Sequence, residues 1–524
     1  MEIRFDVAGC AVRVALTVIS ARARSVVDVD VDGLTERAEA RRVAALAALD
    51  PAEQRRLGQF FTPAPAAALV ASLPRLDALP AQIRVLDPGA GSGSLTVALV
   101  DRVTRERPDV AVHVVAVEAD AAVIPALAET LADCERVAGV TTELVAGDFL
   151  EGSTGMDPDP RLIGPFDLVI MNPPYGKQAA ADHFRRAVAC EHVDTPNLYS
   201  GFWALGVAAL AQDGQCVAIV PRSWANGTYF EPFRRWLLDR VHLDTLHVFE
   251  SRNTVFADTG VLQENVIVSS TRGDRRVGPV TLSASVGHAD DVTRQSVPLS
   301  AVVQPDDPHT FVRFTDGAAR VPAAARFTLA ELGLSVSTGR VVDFRARDYL
   351  GDDPAEPGTV PLVYPGNVRD GGVEWPRAIH KAQAFRTAME DARKLLVPAG
   401  TYTLTKRFSA KEERRRVVAG VWSRDDVQPA FENHLNYFHE KGGGLPADLA
   451  RGLSLWLNST AVDQLFRTFS GHTQVNAGDL RTLPYPSRED LTALGREVPG
   501  GLPDQKAVDA IVSRVLGDVV AAAS

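Results

Sequence analysis

Four cysteines in 524 residues, Cys10, Cys134, Cys190 and Cys216, with no Cys-x-x-Cys pair among them, give no framework for disulfides and no thiolate set for zinc. No His and Cys cluster has ligand spacing either, so no metal ion is expected. The longest apolar candidate, residues 202–211, is too short to cross a bilayer. No basic segment leads an apolar core at the start of the chain, so no secretory signal is expected. These absences point to a reduced, cytoplasmic setting without a membrane partner. Repeats and low-complexity tracts are missing too. So is a positive excess: 55 Lys and Arg against 66 Asp and Glu leave a formal charge of −11, which argues against nonspecific nucleic-acid binding over the whole surface.

What the chain has is length for at least two hydrophobic cores and an ordered series of motifs at strand ends. The apolar run 166–171 leads into Asn172-Pro173-Pro174-Tyr175. Two prolines fix φ and remove two backbone donors, so the Asn172 side-chain oxygen and the Pro173 carbonyl both face one planar amine as acceptors, with the Tyr175 ring beside it. Upstream, the strand-like 83–87 runs into Asp87-Pro88-Gly89-Ala90-Gly91-Ser92-Gly93 before a helix beginning near Ser94. Such a turn lets a ligand approach the backbone. Alone it is weak evidence, because nucleotide-binding folds of many functions use one. The next strand-like run, 112–117, ends at Glu118, a carboxylate placed to grip ribose hydroxyls. A third ends at Asp148-Phe149, an acceptor for an adenine amino group beside an aromatic face. The order is that of a doubly wound α/β sheet.

Taken in this order, with Gly58-Gln59-Phe60-Phe61-Thr62-Pro63 just before the glycine loop, the motifs of residues 50–270 resemble the amino-group DNA methyltransferases of restriction-modification systems, the Eco57I/TaqI-like enzymes acting on N6 of adenine. The resemblance implies a Rossmann-like methyltransferase sheet closed by an antiparallel hairpin, followed by a mixed α+β target-recognition domain. It implies S-adenosyl-L-methionine as cofactor, held by Phe61, Thr62, Pro63, Asp87, Gly89, Ala90, Gly91, Gly93, Glu118, Asp148, Phe149 and Pro174, with Thr62 at the methionine end. Asn172, Pro173 and Tyr175 are then the catalytic set. The target base has to leave the duplex, with Tyr175 on one face and Phe256 on the other; Phe249 is the rival for the second face. Double-stranded DNA is the partner, and a separately encoded restriction endonuclease the expected companion.

Chain organisation fits five segments: an N-terminal extension (1–49), the catalytic domain (50–275), a bridge (276–325), the target-recognition domain (326–490) and a C-terminal helical tail (491–524). The third has low helical periodicity and a turn cluster at 305–308; in the fourth, short strand-like pieces alternate with Gly and Pro turns, and helical patterns return at 449–457 and 462–468. Positive charge collects at Arg393, Lys394, Lys406, Arg407, Lys411 and Arg414 to Arg416, where a duplex could be held by its phosphates; a solvated face is the plainer alternative, since Glu412 and Glu413 sit among them. Lys177, Lys406, Arg407, Arg414, Arg415, Gln474 and Asn476 are the expected DNA contacts, because Gln and Asn can read adenine edges. For Gln474 and Asn476 a polar loop capping a helix is an equal alternative, and His472 reads as a structural hydrogen bonder. Release-factor glutamine N5-methyltransferases carry the same Asn-Pro-Pro-Tyr and stay open as a reading, as do RNA methylation and a non-catalytic specificity subunit.

Overall fold

The computed structural model describes residues 33–517 and the backbone of 519–520, except 51–53, 55–57, 156, 177–187, 190, 196, 250–263, 274–277, 306, 308, 315–320, 410–413 and 470–473. The N-terminal extension up to residue 32, the helix start at Asp50-Pro51-Ala52-Glu53, Lys177, Phe256, Lys411 and His472 therefore fall wholly or partly outside the described residues.

Runs of β-branched residues with apolar side chains on both faces make strands that must be covered on both sides. That is what β1 (Gln82–Pro88), β2 (Ala111–Glu118) and β4 (Phe166–Met171) do, whereas β3 (Val140–Ala146), at the sheet's end, buries only Val140 and Val145. All four are parallel and share one nine-stranded sheet of order β3-β2-β1-β4-β5-β7-β6-β8-β9. β5 (Leu210–Pro221) continues the parallel set, Met171 opposite Ala218. β7 (Asn265–Arg272) then runs antiparallel between β5 and β6 (Val241–Phe249). This is the expected doubly wound sheet with a closing hairpin.

One core lies on the face of α1 (Leu34–Ala48), α2 (Ala64–Ala71), α3 (Ser94–Glu106) and α4 (Ile124–Cys134), and includes Val85, Leu168, Ile170, Val217, Ile219 and Ile267. The other lies under α5 (Phe149–Thr154), α6 (Leu198–Ala208) and α7 (Glu231–Arg240) and is centred on Trp203, Trp224 and Phe233. Trp203 and Trp224 pack edge to face at 4.9 Å, a geometry that suits the ring quadrupoles. Cys134 and Cys216 are free thiols buried in these two cores, where burial pushes both up to about 12.

Two segment boundaries differ from those expected. β8 (Pro279–Ser285) and β9 (Thr293–Pro298) extend the central sheet, so residues up to 298 belong to the catalytic unit and not to a bridge. The low helical periodicity there came from edge strands. The tail is likewise no appendage. The helix Arg488–Arg496 packs on the helix Ala447–Leu457, where Gly452 and Gly495 bring the two backbones so close that no Cβ fits, and Val508, Val512 and Leu516 complete the same core. The C-terminal half also holds a six-stranded sheet centred on the strands Tyr402–Lys406 and Leu435–His439. Arg222, just past β5, pairs with Glu264 at 2.8 Å and reaches the Thr468 carbonyl at 3.4 Å, tying the two halves together.

Candidate active site at the carboxyl edge of the central sheet

Every parallel strand points its carboxyl end at the same edge, where ligands of open α/β sheets bind. Leaving β1, the amides of Gly89 and Ala90 both donate to the Val117 carbonyl of β2. Gly89, Gly91 and Gly93 take φ of 77°, 57° and 89°, values that a side chain resists. A Cβ on Gly91 would come within 2.9 Å of the Phe61 ring, and one on Gly93 within 2.8 Å of Thr130. The loop is thus sandwiched between the Phe61 segment and α4. Glu118 fastens it further, accepting from the Gly91 amide at 2.9 Å and the Asp120 amide at 2.8 Å; burial raises its pKa, and these amides hold it back.

Asp87 lies beneath the loop, fully buried, and accepts from the Thr96 hydroxyl at 2.7 Å. Burial pushes its pKa up to about 7, with the Thr96 bond opposing and the Glu118 charge adding to the rise. Asp148 caps α5 by accepting from the Glu151 amide, leaving its second oxygen exposed. Phe149 is buried against Phe202, ring centroids 5.2 Å apart.

The Asn172 amide has a fixed orientation. Its Nδ2 donates to the Phe60 carbonyl at 2.7 Å and to the Thr62 hydroxyl at 3.0 Å, which uses both amide hydrogens. Its oxygen is therefore the group turned to the site, and the Tyr175 hydroxyl donates to it at 2.9 Å. The same hydroxyl lies 3.3 Å from the Ile219 carbonyl of β5, and burial pushes its pKa well above the usual phenol range. The Tyr175 amide donates to the Gly58 carbonyl, and Gly58 has φ 66° with any Cβ 2.8 Å from the Tyr175 backbone. Pro63 opens α2 as its cap, Pro173 is buried, and Pro174 Cδ lies 3.7 Å from where a Gly89 Cβ would stand. The three motifs so form one body, with Phe60, Tyr175 and Tyr199 as neighbouring rings at 5.5 and 6.4 Å. Phe60 and Tyr199 carry no motif of their own as site residues, and sequence reading passes over them.

Phe249 has other ring neighbours. It packs edge-on against His247 and His288, next to β7.

The expected DNA contacts of the C-terminal half are brought together, but largely on one another. Arg407 donates to the Asn433 carbonyl, to Gln474 at 3.4 Å and to Asn476 at 3.2 Å, and Asn476 heads a capping box with Asp479. The capping alternative describes Asn476. Arg415 is half-buried and donates to Asn458, while Arg416 is buried over the Phe466 ring. Of that triplet only Arg414 is exposed, and Lys406 is half-buried; Lys177 lies outside the described residues. Lys394 is paired with Asp391.

Among the described residues no three His, Cys, Asp or Glu are grouped as metal ligands, and no helix is long and apolar enough to cross a membrane. Asp87 Oδ1 and Ser92 Oγ are buried without a hydrogen-bond partner in the glycine loop. With the Glu118 carboxylate, these acceptors suit a cationic, hydroxyl-bearing nucleoside.

The family model of the Eco57I restriction-modification methylase matches residues 147–256, the stretch holding Asp148 and Asn172 to Tyr175. Type II methyltransferase M.BsuBI of Bacillus subtilis is 40% identical, over 84% of this chain and 90% of its own. Type II methyltransferase M.PstI of Providencia stuartii is 35% identical, over 91% and 96%. The solved Type IIL restriction-modification enzyme MmeI, in complex with DNA, shares the fold at a TM-score of 0.54 and 10% identity, over 94% of this chain and 73% of that one. On this likeness in sequence, along nearly the whole length of both relatives, the chain belongs to the Type II methyltransferases of restriction-modification systems.

Proposed function

We propose that the chain is a site-specific DNA methyltransferase acting on N6 of an adenine flipped out of duplex DNA, the modification enzyme of a restriction-modification system whose nuclease is encoded separately. The observation that carries this reading is the Asn172 amide, whose donors are both engaged by Phe60 and Thr62 so that only an acceptor faces the site. S-adenosyl-L-methionine, the expected cofactor of this family, supplies when bound an electrophilic methyl group. Glu118 and the glycine loop would hold its nucleoside, with Thr62 and Ser92 toward its amino-acid end.

On entry of the base, N6–H replaces the Tyr175 hydroxyl on Asn172 Oδ1, and the Pro173 carbonyl accepts the second N6–H. The nitrogen lone pair, otherwise delocalised into the ring, is localised toward the methyl group. With the cofactor bound, N6 would take its methyl group as the sulfonium became a thioether, and the proton would leave N6 afterwards, acidified by methylation. No strong base is needed, and positioning supplies most of the acceleration. Asn serves better than Asp here, since it accepts without a full charge that would favour the ground state of a cationic cofactor. Tyr175, released from Asn172, stacks on one face of the base; Phe256 is proposed for the other.

Labelled methyl transfer to duplex DNA, RNA and release-factor protein in parallel tests the reading. Label in duplex DNA alone is expected, and label confined to protein or RNA would replace it.

A further inference from the structure

Asn265, the first residue of β7, has 3% of its surface exposed, and neither its Nδ2 nor its Oδ1 has a hydrogen-bond partner. A buried amide with both ends unmade is costly, and native proteins rarely keep one without a use for it. Its flanks explain the vacancy. On β5 it faces Pro221; on β6, where Val248 is opposite Val266, the next residue outward is Phe249. Neither side chain offers a donor or an acceptor.

Its position places it at the site. Side chains alternate across a strand, and Ile267 and Ile219 belong to the core on the α2–α3 face, as do Leu168 and Ile170 of β4. Asn265 and Asn172 continue these rows, so both lie on one face at the carboxyl edge. They are two strands apart and offset by two residues, about 12 Å between Cα atoms by sheet spacing. Between them on β5 runs Ile219, whose carbonyl is touched by the Tyr175 hydroxyl.

We infer that Asn265 reads the extrahelical base, an inference that rests on the proposed adenine N6 chemistry. Asn172 and Pro173 take the two N6 hydrogens; Asn265 Nδ2 donates to a ring nitrogen beside the amino group, the donor that an adenine edge accepts. Asn265 is thus a base-contacting specificity residue, separate from the residues that hold the cofactor.

The test is an enzyme-by-substrate cycle: parent and Asn265→Leu, each with adenine, 1-deazaadenine or 7-deazaadenine at the target position, read as single-turnover methylation together with cofactor affinity and Tm. With adenine, Asn265→Leu is expected to fall about tenfold in kcat/KM, with parent-like cofactor affinity and a Tm at least equal to the parent's, because an orphaned amide has been removed. The parent should lose about tenfold on the analogue lacking the contacted nitrogen, and the variant should lose nothing further there. Asn265→Ala gives the same coupling should the Leu variant fold poorly. Parent-like rates, a loss of cofactor affinity, or a rate loss without analogue coupling would each overturn the inference. A parent that methylates duplex DNA elsewhere than adenine N6 would instead overturn the proposed function.

Discussion

The carboxyl edge of the central sheet and the basic stretch of the C-terminal half both carry polar residues expected to meet a ligand, and their hydrogen-bond accounts differ. At the sheet edge Asp87 Oδ1, Ser92 Oγ and both ends of Asn265 are buried and unpartnered. In the C-terminal half both terminal nitrogens of Arg407 go to Asn433, Gln474 and Asn476, although its Nε is buried without a partner, and Arg415 goes to Asn458. Buried polar groups are normally satisfied, so leaving several unmade in one place marks where a ligand completes the structure. Groups of the same chemical types whose terminal atoms are engaged by one another mark a scaffold. An inventory of Arg, Gln and Asn cannot make that distinction, because it depends on partners far apart in the chain.

The comparison would break most visibly at Asn172. Removing its acceptor in Asn172→Ala is expected to lower single-turnover methylation by about 100- to 1,000-fold while cofactor affinity, measured by calorimetry, stays near the parent's. Next comes Gly58→Ala, which forces a side chain at φ 66° into the Tyr175 backbone. A shift of the catalytic loop of the order of 1 Å costs about 100-fold in rate, and a rate within a few-fold of the parent's would show that the Gly58 segment does not position it.

Arg416 and Arg414 sharpen the other side of the comparison. Arg416→Ala should destabilise the protein by about 1–3 kcal/mol in urea unfolding, since the side chain is buried over Phe466. Exposed Arg414→Ala should leave stability unchanged and, if it meets a phosphate, reduce the slope of log affinity against log salt by about one. A further effect is one of pH. The Asp87 pKa lies above its usual value of 3.8, at about 7, so the folded state holds the extra proton between those values. Its contribution is complete below about pH 4 and is lost as pH rises to about 7. Asp87→Asn should therefore gain on the cofactor-free parent across that window, by at most about 1.4 kcal/mol per pH unit, and run parallel to it above.

Which parts were legible in the sequence follows from the same reasoning. The order β1 to β4, the glycine loop, Glu118 and Asn172 could be read because a strand and the loop leaving it fix side-chain direction within a few residues. The partners of Asn172 could not, since Phe60 and Thr62 lie more than a hundred residues upstream. Asn265 was hidden by its setting: in Glu264-Asn265-Val266-Ile267-Val268 it reads as the polar start of a strand, and only the absence of any partner singles it out. The strands β8 and β9 were missed because an edge strand carries little of the apolar pattern that identifies a buried one; in β9 only Val297 is buried.

The central claim is that the acceptor face of Asn172 and Pro173 localises the lone pair of an adenine amine. Its most direct test is to methylate a duplex carrying the recognition sequence with labelled cofactor, digest it to nucleosides and identify the labelled product, with Asn172→Ala in parallel. The account predicts N6-methyladenine from the parent and at most about a hundredth of its rate from the variant; label in N4-methylcytosine, or N6-methyladenine formed equally fast by both proteins, would contradict it.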